Sequence, residues 1–437
     1  MSFSLHFRSS VPVPLEYRAN FRHLYLDIGW FGLLNGSAMA FLSVYAARLG
    51  ASSAQIGMLG AMPALMSLTL AIPSGQWLQH RSINRAVSWT SVIYRLGYLF
   101  LIPLPWLFSD SAQIWALIGM ALLMGIPGTA LSVGFNAMFA DAVPHDWRAH
   151  VAGIRNIAFS VVYIPTSLIC GWLLDRIAFP AGYQLVFGLG VIGGMMSSYH
   201  LFHVRSLIPA DTPRPGLQTG GLTRPGNSLR LLGDGMRPNL RLRLLTRASW
   251  QSLLRVDIWK TPFRRTLLVL FSSHLAHYLA IPLFSIFFVD QLHLNDQQIG
   301  IGTAAFYLTV LLGSTQLARI SRRLGHQRTA GIGAGLVALY PVVLAMTHGF
   351  WAYLGISLLG GAIWSLLGGA LPNYLLDAVP PDDRPASLAW YSLILNAAIL
   401  IASLLGPFIA SYTGIREALM IFGLLRIFGG LAIIKWG

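Results

Sequence analysis

The chain has 437 residues, of which 55% are hydrophobic and only 10% are charged, and its mean hydropathy is +0.62. Soluble domains carry about 25% charged residues, so this composition excludes an ordinary soluble domain and predicts a membrane protein. The net charge of +15 would suit an anionic partner, and the single cysteine, Cys170, excludes an intrachain disulfide.

Apolar runs long enough to cross a bilayer recur along the whole chain. A membrane-spanning helix needs roughly 20 apolar residues, and we count about twelve such runs. The predicted spans are 24–47, 56–78, 86–108, 114–139, 151–174, 183–204, 267–289, 299–320, 330–346, 352–376, 386–410 and 418–434. The predicted fold is an all-α polytopic membrane protein, and no cleaved signal peptide is expected before the first span.

The positive charge alternates from one side of the predicted spans to the other. Of the 30 Lys and Arg residues, about 24 fall on one side of the bilayer, while Arg48, Arg176 and Arg416 fall on the other. This bias predicts a cytoplasmic membrane protein with both termini in the cytoplasm. The bias explains the basic surface by membrane topology and by attraction to anionic lipid headgroups. It argues against a nucleic-acid partner.

Two pairs of segments show that half of the chain is a copy of the other half. Residues 49–57 (LGASSAQIG) return at 292–300 (LHLNDQQIG), and residues 141–148 (DAVPHDWR) return at 377–384 (DAVPPDDR). Duplicated sets of membrane helices, with a substrate site between the halves, are typical of secondary transporters. We therefore predict two pseudo-symmetric six-helix bundles, in residues 1–204 and 263–437.

The segment between the two bundles, residues 205–262, is predicted to be a cytoplasmic linker. Its first part is rich in Pro, Gly and Arg, as flexible linkers are. Between 240 and 259 apolar residues return among arginines. This pattern predicts either an amphipathic helix on the membrane interface or a short helix packed against the ends of spans.

Two loops carry the residues on which a family resemblance rests. Residues 75–85 read GQWLQHRSINR, between spans 2 and 3, and residues 318–328 read ARISRRLGHQR, between spans 8 and 9. Together with the twelve spans and the duplication, these basic loops resemble those of the major facilitator superfamily. The acidic residue of the family motif is replaced by His80 in the first loop and by Arg322 in the second.

The resemblance implies that helices 1, 4, 7 and 10 line a central cavity that opens to one side at a time. In helix 7, His274 and His277 are three residues apart and share a face with Tyr278. Histidine changes charge near physiological pH, so the pair is a candidate proton-coupled substrate site. The alternative is a pair of neutral histidines hydrogen-bonded to neighbouring helices. No metal site and no cofactor are predicted.

Helix 1 contributes two further candidates. Asn35 lies near its midpoint and corresponds to Tyr278 in the repeat, so both are predicted to bind substrate unless they serve only interhelical hydrogen bonds. Asp27 is a proton-coupling candidate with His277, although its predicted place near the helix end also suits a gate or cap carboxylate.

Helices 4 and 10 add Asn136, Trp364 and Asn373 to the predicted substrate site. Together with Met and small polar residues, they favour a neutral or amphiphilic solute, because no arginine is predicted in the middle of a cavity helix. Arg95 lies deep in helix 3, outside the expected cavity, and requires an anionic partner, a cluster of carbonyl groups or an anionic group of the substrate; we favour a structural pairing. Arg426 in helix 12 has no predicted role.

Charged residues near the predicted cytoplasmic ends of the spans form a candidate gate. Ion pairs that break and re-form there would let two facing states differ by only a few kcal/mol. The predicted gate residues are Arg81, Asp141, Arg148, Arg155, Arg323, Asp377 and Arg384.

The function predicted from these features is secondary active transport of a small organic solute by alternating access, with proton-coupled efflux as the expected mode. The alternatives are an uptake carrier for a sugar or metabolite, and a transport-inactive sensor or scaffold. An ATP-driven pump is excluded because the only lysines, Lys260 and Lys435, do not form a phosphate-binding loop. No enzymatic activity is expected, and the predicted partners are the solute, protons and the lipid bilayer around a monomer.

Overall fold

The computed structural model describes residues 15–79, 81–205, 256–379 and 384–437, and the regular elements in these ranges are all helices. Eleven of the helices described there are long and apolar enough to cross a membrane. The predicted all-α polytopic fold is therefore confirmed. Burying every backbone N–H and C=O within its own helix is what the bilayer interior requires.

The N-terminal bundle contains eight helices, because two of its six spans are interrupted. They are α1 (Arg18–Leu34), α2 (Ala40–Arg48), α3 (Ser53–Gln79), α4 (Ile83–Leu96), α5 (Leu104–Leu107), α6 (Asp110–Ala142), α7 (Arg148–Arg176) and α8 (Ala181–Phe202). A π-helical turn over Asn35–Met39 joins α1 to α2 within the first span.

The C-terminal bundle repeats this arrangement with its own interruptions. Its helices are α9 (Phe263–Tyr278), α10 (Ile281–Ile286), α11 (Asp296–Leu324), α12 (His326–Leu336), α13 (Leu339–Ala345), α14 (Phe350–Ala378), α15 (Arg384–Thr413) and α16 (Ile415–Trp436). A π-helical turn over Phe287–Gln291 follows α10, so the first span of each bundle ends beyond a π turn. Such turns occur mostly at functional sites.

The third predicted span, 86–108, is interrupted in the structure. Helix α4 ends at Leu96, and the chain continues as a 3-10 turn over Gly97–Leu101 before the short helix α5. Pro103 follows this turn, and a proline cannot donate the backbone hydrogen bond that would continue a helix. The apolar run predicts a membrane segment but not this interruption.

The two bundles meet along two pairs of helices, α7 with α11 and α3 with α15. Glycines allow the backbones to approach closely at the first pair. A Cβ atom on Gly300 would lie 2.6 Å from the backbone oxygen of Ser167, and one on Gly171 would lie 2.8 Å from that of Asp296. Small residues at such crossings are how membrane helices pack without a hydrophobic driving force.

The apolar core shows where the bundles are joined. One cluster contains residues of both halves, such as Phe41, Tyr45, Phe287 and Ile299. All of these lie toward the membrane face that is opposite the chain ends, which we call the far side. On the face that holds the chain ends, the terminal side, each bundle has a separate cluster, in residues 21–204 for one and 258–433 for the other. The halves are therefore packed together on the far side.

Most of the predicted linker, including the candidate amphipathic helix at 240–259, lies outside the described residues. The described end of this segment forms a 3-10 turn over Val256–Lys260. There Ile258 is buried, and Trp259 packs edge to face on Trp390 with ring centroids 5.3 Å apart. This turn therefore packs against the terminal-side end of the C-terminal bundle.

Candidate functional site

An ion pair ties the two bundles together on the far side. Arg48 Nη2, at the end of α2, lies 3.1 Å from Asp296 Oδ1 at the start of α11. The same nitrogen donates to the backbone oxygen of Leu294 at 2.6 Å. The backbone N–H of Asp296 donates to Asp175 Oδ1, from the end of α7, at 3.0 Å. Three helix ends from both halves thus share one polar network.

The local sequence fixes the position of Asp296. Asn295 caps α11 by accepting from the backbone N–H of Gln298 at 2.8 Å, and the Gln298 side chain accepts from the Asn295 N–H at 3.1 Å. This reciprocal capping box holds the first turn of the helix rigidly. Asp296 therefore meets Arg48 from a preorganised helix end, where a carboxylate is also favoured by the helix dipole.

The structure gives contacts or burial for six of the seven residues predicted to gate the terminal side. Arg148 donates to the backbone oxygens of Ala140 at 2.7 Å and Val143 at 3.2 Å, within its own bundle. Arg81, Arg323 and Asp377 are exposed, Asp141 is half-buried, and the side chain of Arg384 lies outside the described part of the structure.

Arg155 corrects the predicted gate. It was grouped with ion pairs that hold the terminal side shut, but it is only 9% exposed and lies inside the N-terminal bundle. Its Nη1 lies 3.1 Å from Asp27 Oδ2 and donates to the backbone oxygen of Leu24 at 2.8 Å. Arg155 follows Arg148 by two turns of α7, so it reaches the depth of Asp27 rather than the helix end.

Asp27 is the centre of a buried charged cluster. Helix α1 begins at Arg18, so Asp27 is well inside the helix and does not cap it, contrary to one predicted role. It is 2% exposed, and its Oδ1 accepts from the Ser197 hydroxyl of α8 at 2.5 Å. Its two carboxylate oxygens therefore face three helices of its bundle.

Arg95 supplies the second cation of this cluster. Its Nη2 lies 3.8 Å from Asp27 Oδ1, so the anionic partner that the sequence required is present. Its Nη1 donates to the Ser198 hydroxyl at 2.9 Å. The Arg95 side chain is 4% exposed, and its Nε has no hydrogen-bond partner in the described structure. Aromatic faces also hold the cations: Phe31 lies 5.4 Å from the Arg95 guanidinium carbon and Phe135 lies 4.9 Å from that of Arg155.

A cavity of about 510 Å³ opens beside this cluster. Asp27, Arg95 and Arg155 line it together with Asn136, one of the predicted substrate residues. All of its lining residues belong to the N-terminal bundle, and Asp27 is the only acid among them. The size lies in the range typical of small-molecule sites. The sequence predicted a substrate site shared by helices of both halves, and this cavity uses one half.

The predicted histidines of α9 form an aromatic cluster in the C-terminal bundle. His274 Nε2 lies 3.1 Å from the Tyr391 hydroxyl. His277 stacks on Trp364, with ring centroids 5.1 Å apart and planes inclined by 27°. Tyr278 packs edge to face on His277 at 5.1 Å. The predicted residues His274, His277, Tyr278 and Trp364 therefore do come together, as the shared helix face indicated.

Arg426 has a structural role that the sequence did not predict. This buried residue of α16 donates to the backbone oxygen of His277 at 2.6 Å and to that of Val337 at 3.3 Å. Helix α9 ends at Tyr278, and Pro282 follows shortly after. Arg426 thus supplies donors where the helix is broken, as interrupted membrane helices require.

Two predicted substrate residues bond to their own helices. The Asn35 side chain donates to the backbone oxygen of Phe31 at 3.0 Å, and the Asn373 side chain donates to that of Gly369 at 3.1 Å. Asn35 begins the π-helical turn of the first span. Asn373 is exposed and lies near the end of α14.

Sequence reasoning did not find Tyr391 or the far-side network. Tyr391 is an ordinary aromatic residue within the apolar run of α15, so no local signal distinguishes it. The far-side network did leave a signal: Arg48 is one of three basic residues on its side, and Asp296 lies inside a repeated segment. An isolated charge on the sparsely charged side could have been matched to an acid in the repeat.

The sequence matches the family model described as Major Facilitator Superfamily over residues 29–273 and again over 266–436. No curated relative matches the chain. Solved structures show the same fold. The nucleoside transporter NupG is 14% identical, with a TM-score of 0.61, and the alignment covers 95% of this chain and 99% of that one. A POT family transporter in complex with a thioalcohol-conjugated peptide is also 14% identical, with a TM-score of 0.67 and 95% of each chain covered.

Proposed function

The chain belongs to the Major Facilitator Superfamily, and it is a multi-pass membrane protein of the secondary transporter class; on that premise we propose that it moves a small organic solute by alternating access and couples this movement to protons. The cavity in the N-terminal bundle is the proposed solute site. Asp27 is the proposed proton site. The observation that carries the proposal is that this carboxylate, paired with two arginines, lines a cavity large enough for a small molecule.

The packing of the two bundles supports alternating access. The shared apolar cluster and the Arg48–Asp296 pair close the far side, while separate clusters stabilise each bundle on the terminal side. To open the far side, the partly exposed Arg48–Asp296 pair must break and the two bundles must separate along the shared apolar cluster. A network that forms in one state and breaks in the other sets the relative populations of the two states.

Asp27 suits proton coupling because its charge holds two cations in place. Protonation would remove the negative partner of Arg95 and Arg155 and leave two positive charges close together in a medium of low dielectric. Three groups contact this carboxylate: Arg95 of α4, Arg155 of α7 and Ser197 of α8. His200 of α8 lies nearby, and it contacts His23 of α1. Binding one proton therefore changes the interactions among three helices, which is what biases a two-state equilibrium.

His277, the other predicted proton site, is better explained as a structural residue. Its ring stacks on Trp364, and its backbone oxygen accepts from Arg426. These contacts stabilise the interruption of the first span of the C-terminal bundle. We assign His274 a similar packing role, through Tyr391.

The proposed setting follows the charge distribution. Basic residues are concentrated on the terminal side, which we place in the cytoplasm, with the protein in the cytoplasmic membrane and active as a monomer. The far-side network would then lie at the outer face. The structure would correspond to the state that is closed toward the outside.

The proposal is tested by reconstituting the purified protein in vesicles that contain a trapped pH indicator. A panel of metabolites and drugs is added, and protein-free vesicles measure passive diffusion. We expect at least one solute to cause proton movement in the wild type, and Asp27→Asn to abolish this movement. Asp290→Asn, an isosteric change of an exposed acid, should leave it intact. Proton movement that survives Asp27→Asn would overturn the proton site, and a wild type without any response would favour the sensor or scaffold.

The same vesicles separate efflux from uptake by the sign of coupling. An antiporter, which would export solute from the cell, accumulates solute in vesicles that are acidic inside. A symporter, which would import it, accumulates solute when the outside is acidic. Export is the direction predicted from the family resemblance, and accumulation only from an acidic exterior would replace it with the uptake alternative.

A further inference from the structure

The cavity of the N-terminal bundle carries a charge imbalance that identifies the chemistry of its solute. We infer that it binds an organic monocarboxylate with an apolar body, and that Arg95 and Arg155 hold the carboxylate. This inference rests on the proposed function only in treating the cavity as the transport site. The binding claim itself depends on the residues that line the cavity.

The first argument is the net charge. The charged residues that line the cavity are Arg95, Arg155 and Asp27, which leaves one positive charge in excess. All three residues are buried, with exposed fractions of 2% for Asp27, 4% for Arg95 and 9% for Arg155. An uncompensated buried charge is costly, and one added anionic group would neutralise the site. A neutral solute would leave the imbalance unchanged.

The second argument is an unused hydrogen-bond donor. Nη1 of Arg95 donates to Ser198, and Nη2 is 3.8 Å from Asp27, which is long for a charge-assisted hydrogen bond. Nε has no hydrogen-bond partner and is itself buried, so a shift of the guanidinium toward the cavity is needed to present it to a ligand. An arginine offers adjacent N–H groups in a fixed plane that matches the two oxygens of a carboxylate. A ligand carboxylate would satisfy the donor that the protein leaves unpaired.

Two tyrosines extend the polar end of the cavity beyond the arginine. Tyr94 and Tyr98 flank Arg95 in sequence and also line the cavity, and their hydroxyl oxygens are 3.3 Å apart. A phenolic hydroxyl can accept a hydrogen bond from its neighbour and donate its own hydrogen to a carboxylate. The anionic group of the ligand thus meets guanidinium and hydroxyl donors on one wall of the cavity.

The rest of the cavity suits an apolar body. Its lining toward the far side is made of aliphatic and thioether side chains: Leu42, Leu59, Leu101, Leu117, Met120 and Met124. Methionine side chains adapt to ligands of different shape. The sequence predicted a neutral or amphiphilic solute because no arginine was expected at the cavity. The structure places two arginines there, from α4 and α7, so the amphiphile is anionic.

The inference also bears on the direction of coupling. A proton on Asp27 removes the charge that competes with the ligand for the two arginines, and a bound carboxylate attracts a proton to the same site. Proton and solute would therefore bind together rather than displace one another. Ligands that favour each other's binding travel in the same direction, which selects uptake by symport over efflux.

The test measures equilibrium binding to the purified full-length protein, with matched acid and amide probes. The pairs are benzoate with benzamide and indole-3-acetate with indole-3-acetamide, while decanoate in lipid nanodiscs represents a membrane-derived acid. Each acid of a pair that binds should bind at least about 10-fold more tightly than its amide, since hydrogen bonds to charged groups contribute that much or more. Binding of the soluble acids identifies an aqueous source, and binding of decanoate alone identifies a lipid source.

Arginine variants then locate the site. Arg95→Gln should weaken acid binding by about 30-fold and leave amide binding unchanged, because one charge-assisted contact is lost. Arg85→Gln removes an exposed arginine from the start of the same helix and should change neither. If Arg95→Gln does not fold, the comparison of acid with amide in the wild type still decides the matter.

Three results would overturn the inference: equal binding of acids and amides, no binding of any acid, or full acid binding by a folded Arg95→Gln variant. None of them affects the proposed proton site, because another solute could still move protons through Asp27. Conversely, tight acid binding without proton movement in vesicles would support the inference and overturn the proposed function.

Discussion

The two bundles carry repeated sequence segments, yet they stabilise their interiors in different ways. The N-terminal bundle buries a carboxylate between two arginines, at Asp27, Arg95 and Arg155. The C-terminal bundle buries Arg426 against backbone oxygens and packs its histidines on aromatic rings. The first arrangement contains a group that gains or loses a charge beside a cavity. The second contains only contacts that support a broken helix.

This difference assigns separate roles to related halves. A carboxylate held by two cations changes its surroundings strongly when it is protonated, since charges interact strongly in the membrane interior. An arginine bonded to backbone oxygens has partners that do not titrate. We therefore expect solute and proton binding in the N-terminal bundle. We expect the C-terminal bundle to supply the surface against which the N-terminal bundle moves.

The largest expected effect comes from breaking the charged cluster. Asp27→Leu leaves Arg95 and Arg155 without their shared anion, and removing one partner of a buried pair costs about 3–5 kcal/mol. Thermal unfolding in detergent should show this loss. The double variant Asp27→Leu with Arg155→Met should recover part of it, because only one of the two unpaired cations then remains buried. If the double variant were as unstable as the sum of the single variants, the pair would not be coupled.

A smaller effect is expected from the matching change in the other bundle. Arg426→Met removes hydrogen bonds to His277 and Val337 but leaves no carboxylate without a partner. Charge-assisted hydrogen bonds contribute about 1.5–3 kcal/mol each, and relief of the buried guanidinium offsets part of the loss. Unfolding of Arg426→Met and Asp27→Leu under identical conditions measures the contrast. A larger loss for Arg426→Met would contradict the division proposed between the bundles.

The smallest expected effect is at the junction of the bundles. The Arg48–Asp296 pair is partly exposed, with 26% and 10% of the two side chains accessible, and such pairs contribute up to about 1 kcal/mol. Arg48→Gln should therefore raise the population open to the far side by about 5-fold. Spin labels at Ala54→Cys and Gln297→Cys, with Cys170→Ala, report the distance between the halves. Asp290→Asn serves as the control, and an unchanged distance distribution in Arg48→Gln would show that the pair does not hold the far side closed.

The fold was predictable because apolar length and repetition are local properties of a sequence. Runs of about 20 apolar residues indicate spans, and two repeated segments indicate two bundles. The interruption after Leu96 was not predicted, because an apolar run looks the same whether its backbone is α-helical or 3-10. The position of Arg155 was misjudged, because the sequence placed it near a helix end from an estimated boundary.

The site was harder to predict because its partners are distant in the chain. Asp27 and Arg155 are separated by 128 positions, and His274 and Tyr391 by 117. A single residue gave a usable signal where burial itself demanded a partner: Arg95 required an anionic or carbonyl group, and the acid Asp27 lies 3.8 Å from it. The histidine face of α9 was also predictable, because residues three and four apart share a helix face. Which bundle holds the cavity depends on packing that no local pattern encodes.

Solute-dependent proton movement in vesicles, compared between Asp27→Asn and His277→Ala, tests the division of roles between the bundles most directly. The account predicts that Asp27→Asn abolishes proton movement while His277→Ala, once its folding is verified by thermal unfolding, retains it. Loss of proton movement in His277→Ala together with its survival in Asp27→Asn would contradict the account and move the proton site to the C-terminal bundle.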